Sequence, residues 1–352
     1  MLLNNKSLKP IFLTTPEELK NITREVKIHE DGFRTGKVRG FFEWWYFDAH
    51  LDDGSTVVIV FMTKPITEYK GPIKPAVMIT INKSDGEKLF KSKKFSKEVF
   101  KSLKENCDIS IGKNWVKGDL KKYELHTEIE DITADLTFTG IVPPWRPRDG
   151  KIFFGDHLHY FAWLVAIPRG KVKGTIFYDG INHKVAGFGY HDHNWGNLSL
   201  PSIQNHWYWG RTTLDDFTVL FVEQTASKKY GSKKLPVFLL ARGNEILIED
   251  GEPLVLETLD FTKHFSKHKY PNKLIFKWIK GDDKVIITLK NPKIIEATSL
   301  LGYLPMWKQK IARIFVNPYY FRFNAQIDLE INYGNIKTVK SGYSLYELMQ
   351  LQ

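Results

Sequence analysis

A single cysteine, Cys107, stands in a chain of 352 residues. No intramolecular disulfide can form, so a disulfide-stapled scaffold is excluded and nothing in the chain uses an oxidising compartment. Long apolar runs are missing too. No stretch approaches the roughly 18 consecutive apolar residues of a membrane span, and residues 1–20 hold no run of signal-peptide length, so a cytoplasmic protein is expected. There is no Gly-x-Ser-x-Gly nucleophile elbow and no phosphate loop, which removes the common hydrolase and nucleotide-binding chemistries.

What is present is basic and aromatic. The formal net charge is +11, from 51 Lys and Arg against 40 Asp and Glu. The lysines are scattered or sit in short clusters beside turns, as in Lys91-Ser92-Lys93-Lys94 and Lys228-Lys229. Without a helix-turn-helix, zinc-finger or RNA-recognition signature, they read as a solvated surface and nucleic acid is not an expected partner. Ten Trp, fifteen Tyr and twenty-four Phe suit β-sheets, and they also suit the lining of a pocket for a large apolar ligand.

The chain repeats itself. Trp44-Trp45-Tyr46-Phe47-Asp48-Ala49-His50-Leu51-Asp52-Asp53 recurs without a gap as Trp207-Tyr208-Trp209-Gly210-Arg211-Thr212-Thr213-Leu214-Asp215-Asp216. Each copy reads as an aromatic strand, an Asp-Asp turn and a return strand, Thr56–Met62 and Phe217–Glu223. Two related β domains follow, expected at 1–200 and 201–352.

Short alternating runs dominate the rest: Val77–Asn82, Tyr123–Ile129, Ala134–Thr139, Tyr160–Ile167, Thr175–Tyr178 and Val185–His191 in the first half, with turns at Arg169-Gly170 and Asp179-Gly180. Pro143-Pro144-Trp145-Arg146-Pro147 reads as a rigid crossing over an edge. Two helices are expected. One is short, within 14–30, capped by Thr15 with Pro16 in its first turn. The other is amphipathic, over 300–315, with Leu304, Trp307, Ile311 and Ile314 on one face and Lys308, Lys310 and Arg313 between them. It reads either as a helix flanking the second domain or as a membrane-interface helix giving the protein peripheral membrane contact.

The segment Gly187-Phe188-Gly189-Tyr190-His191-Asp192-His193-Asn194-Trp195-Gly196 is the most unusual, because it packs an acid, two imidazoles, a phenol and an indole between glycines. As a strand, it puts Tyr190, Asp192 and Asn194 on one face and His191, His193 and Trp195 on the other. Asp192 reads as a functional acid or as a buried structural carboxylate; Glu43, beside Trp44, carries the same ambiguity. His157-x-His159 and His191-x-His193 have a spacing that can ligate zinc, but no cysteine accompanies them and the acid between the second pair faces the other way, so no metal is expected.

Three segments together resemble the lipocalin-like carotenoid 1,2-hydratases, or hydroxyneurosporene synthases, and their attachment-locus relatives: Phe42-Glu43-Trp44-Trp45-Tyr46-Phe47-Asp48, Gly187–Gly196, and Asn317-Pro318-Tyr319-Tyr320-Phe321-Arg322-Phe323. The resemblance implies an all-β chain of two tandem lipocalin-like domains, of barrel or sandwich type, that binds an apolar, isoprenoid-like molecule. It implies hydration of a terminal alkene, or the reverse dehydration, without a redox cofactor or metal; some fungal cyclases look similar, and a cyclase, an isomerase or a carrier stays open as the alternative.

Protonating an alkene needs a carboxylic acid that is still protonated near neutral pH, which burial among aromatics can provide. Asp192 is the expected acid and Tyr190 its hydrogen-bonding neighbour, matching the family's Tyr-x-Asp element. Trp163 matches its Trp, and Trp163, Trp44 and Trp45 are the aromatic faces expected to hold a cation. The family's upstream His has no counterpart two residues before Trp163, where Phe161 stands. His159 or His193 is expected to activate water instead. Glu43, Phe161, His191, Asn194 and Trp195 complete the expected substrate-contacting set.

Overall fold

Alternation decides the architecture. In Ile132–Gly140 the residues Ile132, Ala134, Leu136 and Phe138 are buried, whereas Thr133, Asp135, Thr137 and Thr139 lie between them on the more exposed side; successive side chains of a strand point to opposite faces. Repeated along the chain, this pattern gives two curled antiparallel sheets and almost no helix. The computed structural model describes residues 10–12, 24–65, 68, 70–155, 158–299, 301 and 317–351, and its contacts divide into two units, Ile11–Ser199 and Leu200–Gln352.

The first unit is a thirteen-stranded sheet. Its main path runs Lys88–Lys94, Ala76–Asn82, Thr56–Met62, Phe42–Leu51, Ile181–Gly196, Tyr160–Tyr178, Ile132–Gly140, Lys122–Ile129, Asn114–Gly118, Cys107–Ile111 and Phe100–Ser102. The sheet curls until the aromatic strand Phe42–Leu51 pairs with the unit's last strand, Ile181–Gly196. One apolar cluster fills the interior, with Phe47, Ile59, Val77, Ile109, Leu125 and Leu164 among its members.

The second unit repeats the scheme with nine strands: Glu245–Ile248, Lys234–Arg242, Phe217–Ala226, Gln204–Leu214, Ile336–Gln350, Tyr319–Tyr333, Asp283–Ser299, Lys269–Lys280 and Leu254–Lys263. Again the repeated aromatic strand, Gln204–Leu214, pairs with the last strand, Ile336–Gln350. Its own interior cluster includes Phe221, Phe276, Trp278 and Phe323.

Three expectations change. Tyr160–Tyr178 is one strand, with no turn at Arg169-Gly170 but two shifts of register, between Val165 and Ile167 and between Ile167 and Gly170. Gly170 is needed there for close approach: a Cβ on it would come within 2.8 Å of the Thr139 carbonyl oxygen on the neighbouring strand. Residues 24–27 are not helical, and Ile28–Asp31 forms a single 3₁₀ turn that carries Asp31 into the interior; the remainder of the expected helix, at 14–23, lies outside the described residues. The amphipathic helix at 300–315 also falls outside them, apart from Leu301. Among the described residues no helix is long and apolar enough to cross a membrane.

Candidate active site

Cross-strand register sorts the unusual segment into two environments. Asp192 stands opposite Tyr46 and Val165, Asn194 opposite Trp44 and Trp163, and Tyr190 opposite Asp48. Residues directly opposite share a face. Tyr190, Asp192 and Asn194 therefore gather with Trp44, Tyr46, Asp48 and Trp163, while His191, His193 and Trp195 face the interior with Phe47, Trp45 and Glu43.

On the first face the Asp192 carboxyl is the hub. Its Oδ2 accepts from the Tyr190 hydroxyl at 2.8 Å and from Trp163 Nε1 at 2.9 Å, and its Oδ1 accepts from Asn194 Nδ2 at 2.7 Å. Tyr190 is fully buried and Asp192, Trp163 and Asn194 are nearly so. Burial raises the Asp192 carboxyl to about 6, against the pull of the Tyr190 and Trp163 hydrogen bonds and of His191 and with a further push from Asp48. Aromatic rings surround it. Trp145, from the proline-rich crossing, meets Trp163 edge-on at 6.2 Å and bridges to the strand at Val165; Tyr46 meets Tyr190 edge-on at 6.3 Å. Trp44 stacks on Phe42 at 5.2 Å and lies 6.4 Å from Phe161, extending the aromatic surface along the same face.

The interior face holds a different cluster. His193 Nε2 meets Glu43 Oε1 at 2.8 Å, and Glu43 also accepts from the Arg34 and Thr35 amides and the Thr35 hydroxyl at 2.7–2.9 Å. His191 Nδ1 lies 2.9 Å from the Tyr46 carbonyl oxygen and its Nε2 lies 3.2 Å from Asp31 Oδ2, an oxygen that also accepts from Tyr123. Phe47 stacks on His191 at 3.8 Å and Trp45 on His193 at 4.7 Å. Burial works to raise the Asp31 carboxyl, but His191 and His193 outweigh it and hold it below the ordinary carboxylate range. Burial likewise opposes charge on His193, yet the neighbouring Asp31 and Glu43 carboxyls override it and raise the imidazole.

The structure thus brings Asp192, Tyr190, Trp163 and Asn194 together, with Trp44 and Phe161 on the same aromatic face. It does not bring His193 there: His193, His191, Trp195, Trp45 and Glu43 point the other way, because neighbouring residues of a strand cannot share a face. His159 is exposed in the loop before Tyr160, so it does not share the strand with Trp163, and His157 lies outside the described residues. Two residues near the acid escaped the sequence reading, Asp48 and Tyr46, which are hydrogen-bonded at 3.2 Å. Their alternation with Trp44 was the available signal. Asp31, Tyr123 and Cys107 had none, since they reach the interior from separate segments.

Two curled antiparallel sheets built on a repeated aromatic strand make this a tandem lipocalin-like protein. The chain belongs to the AttH-like family, whose model matches residues 36–294. It is 25% identical over 214 residues to a hydroxyneurosporene dehydrogenase of Chlorobaculum tepidum, covering 49% of this chain and 54% of that one. It is 24% identical over 227 residues to the quinolone epoxide rearrangement protein asqO of Emericella nidulans, covering 58% and 60%. The chain therefore spans little more than half the length of these curated relatives. Kievitone hydratase of Nectria haematococca shares the fold at 13% identity, with a TM-score of 0.56 over 94% of this chain and 97% of that one.

Proposed function

We propose that this protein is a hydro-lyase-type enzyme that protonates an alkene in an apolar, isoprenoid-like substrate, with Asp192 as the general acid. The observation that carries the reading is the setting of that carboxyl: buried, fixed by Tyr190, Trp163 and Asn194, and ringed by aromatic side chains. Oδ2 accepts two hydrogen bonds and Oδ1 one, so Oδ1 keeps a lone pair on which the acidic proton can sit. The alkene carbon takes that proton, the resulting tertiary cation takes water, and the proton released from the water restores the acid. The net change is addition of one water, and no electrons are exchanged. Trp44, Tyr46 and Trp163 offer π-faces to the cation, an attraction of about 2 kcal/mol or more when desolvated.

The match to a relative named for an epoxide rearrangement supports a second reading, in which the same acid and aromatic faces guide an isomerisation or cyclisation without capture of water. Product mass separates the two. The test is deuterium uptake from heavy water into a panel of acyclic isoprenoid alkenes, with wild type and Asp192→Asn side by side. Label with a gain of one water, lost in the variant, is the expected result; label without added water favours the isomerase. No label in any substrate that binds overturns acid catalysis and leaves a carrier.

A further inference from the structure

The interior cluster beneath the aromatic strand is not used by that chemistry, and its hydrogen-bond arithmetic does not close with neutral side chains. The Tyr46 carbonyl can only accept, so His191 Nδ1 carries the hydrogen in their 2.9 Å contact. A neutral His191 then turns the lone pair of Nε2 toward Asp31 Oδ2, a carboxylate oxygen 3.2 Å away. His193 repeats the conflict. Its Nε2 gives its hydrogen to Glu43, so its Nδ1 faces Asp31 Oδ1 at 3.3 Å, and neither of those two buried atoms has a hydrogen-bond partner.

An imidazole that ties its outer N–H to a backbone carbonyl and turns its inner lone pair toward a carboxylate, as His191 does, has the arrangement of a metal-ligating histidine. The ligand atoms of Asp31, His191 and Cys107 are all buried and lie within 4.8 Å of one another. We infer that Asp31, His191 and Cys107 form a zinc site in the first unit. The mixed N, O and S set suits Zn²⁺ among the common divalent ions. Ligands around a tetrahedral zinc sit about 3.3–3.8 Å apart, from bonds of about 2.0–2.3 Å. The Asp31 Oδ2–His191 Nε2 separation, at 3.2 Å, is close to that size.

Three protein donors hold the ion, and the site lies on the opposite face of the strand from Asp192. Its ligands also differ from those the histidine spacing alone suggested: Asp31 and Cys107 join His191, in place of His157, His159 and His193. Binding exchanges protons for the ion, since Cys107 must give up its thiol proton and His191 any second proton it holds.

The experiment is metal loading of the full chain. Protein treated with chelator is dialysed against Zn²⁺ or Co²⁺, washed, and assayed for bound metal and for thermal unfolding, and the Co²⁺ form is examined by absorption spectroscopy. One equivalent of metal, a rise in melting temperature and a thiolate-to-cobalt charge-transfer band are expected. Cys107→Ser should lose the band and bind at least tenfold more weakly while still folding, as judged by its sheet signal in circular dichroism. Should that variant fail to fold, proton release on adding Zn²⁺ to wild type, read in a weakly buffered solution, is the deciding measurement. Substoichiometric metal with no band and no proton release overturns the site and leaves a buried cluster held by imidazolium protons alone.

Discussion

The two sheets share a plan and differ in what they put at matched positions. Facing the repeated strand, the first unit sets His191 opposite Phe47 and His193 opposite Trp45; at the corresponding places the second sets Tyr346 opposite Gly210 and Leu348 opposite Tyr208. On the other face, Asp192 opposite Tyr46 corresponds to Glu347 opposite Trp209, and Glu347 is only half-buried and accepts from the Tyr320 hydroxyl at 2.6 Å. The architecture needs the aromatic strand; it does not need the ionisable groups. The second unit curls its sheet without them, so the polar core of the first is a cost that the fold alone does not demand.

Transplanting residues between the matched positions breaks that comparison most sharply. His193→Leu installs what the second unit has, but leaves Glu43 and Asp31 buried without their imidazole, and a loss of about 3–5 kcal/mol in denaturant unfolding of the first unit is expected. A neutral result would mean the cluster is held together by its backbone donors alone. Next in size is Gly210→Ala. In the first unit the interior ring is on the aromatic strand, Phe47, with Ile59 opposite; in the second it has moved to the return strand, Phe221 opposite Gly210. A Cβ on Gly210 would fall 2.4 Å from that ring. The overpacking should cost about 1–3 kcal/mol, and an unchanged midpoint would show that Phe221 can swing aside.

Those pairs also show what the sequence could disclose. The doubled aromatic strand and the alternation of short apolar runs carry the all-β architecture, because a period of two is set locally. The same local rule places Tyr190, Asp192 and Asn194 together. It also separates Trp44 from Trp45 and Asp192 from His193, so grouping these as partners set chemical expectation above geometry. Gly170 misled because a glycine required for close approach between strands looks like one required for a turn. The Asp31–His191–His193–Glu43 cluster was out of reach: its members come from a 3₁₀ turn and two strands, and only the curled sheet brings them within contact. Trp163 as a donor to Asp192 needed the register of two neighbouring strands, which length and composition do not fix.

The smallest expected effect concerns a carboxyl of the second unit. Glu223 stands opposite Tyr208, where the first unit has Phe61 opposite Trp45. It is buried, and its ionic partner is the exposed Lys234 at 3.1 Å. Burial raises the Glu223 carboxyl, and the Lys234 hydrogen bond and charge offset this only in part. A carboxyl raised in the folded state contributes stability that is fully present below the unfolded-chain value, about 4.3 for Glu, and is lost as pH rises through the folded value. Glu223→Gln, which is neutral at every pH, should therefore gain on wild type between acid and alkaline conditions, by less than either loss above. Paired denaturant melts at pH 4 and pH 8 check this. A variant that instead loses ground at pH 8 would show that the Lys234 ion pair outweighs burial, and that the second unit, like the first, stabilises its interior acid by charge.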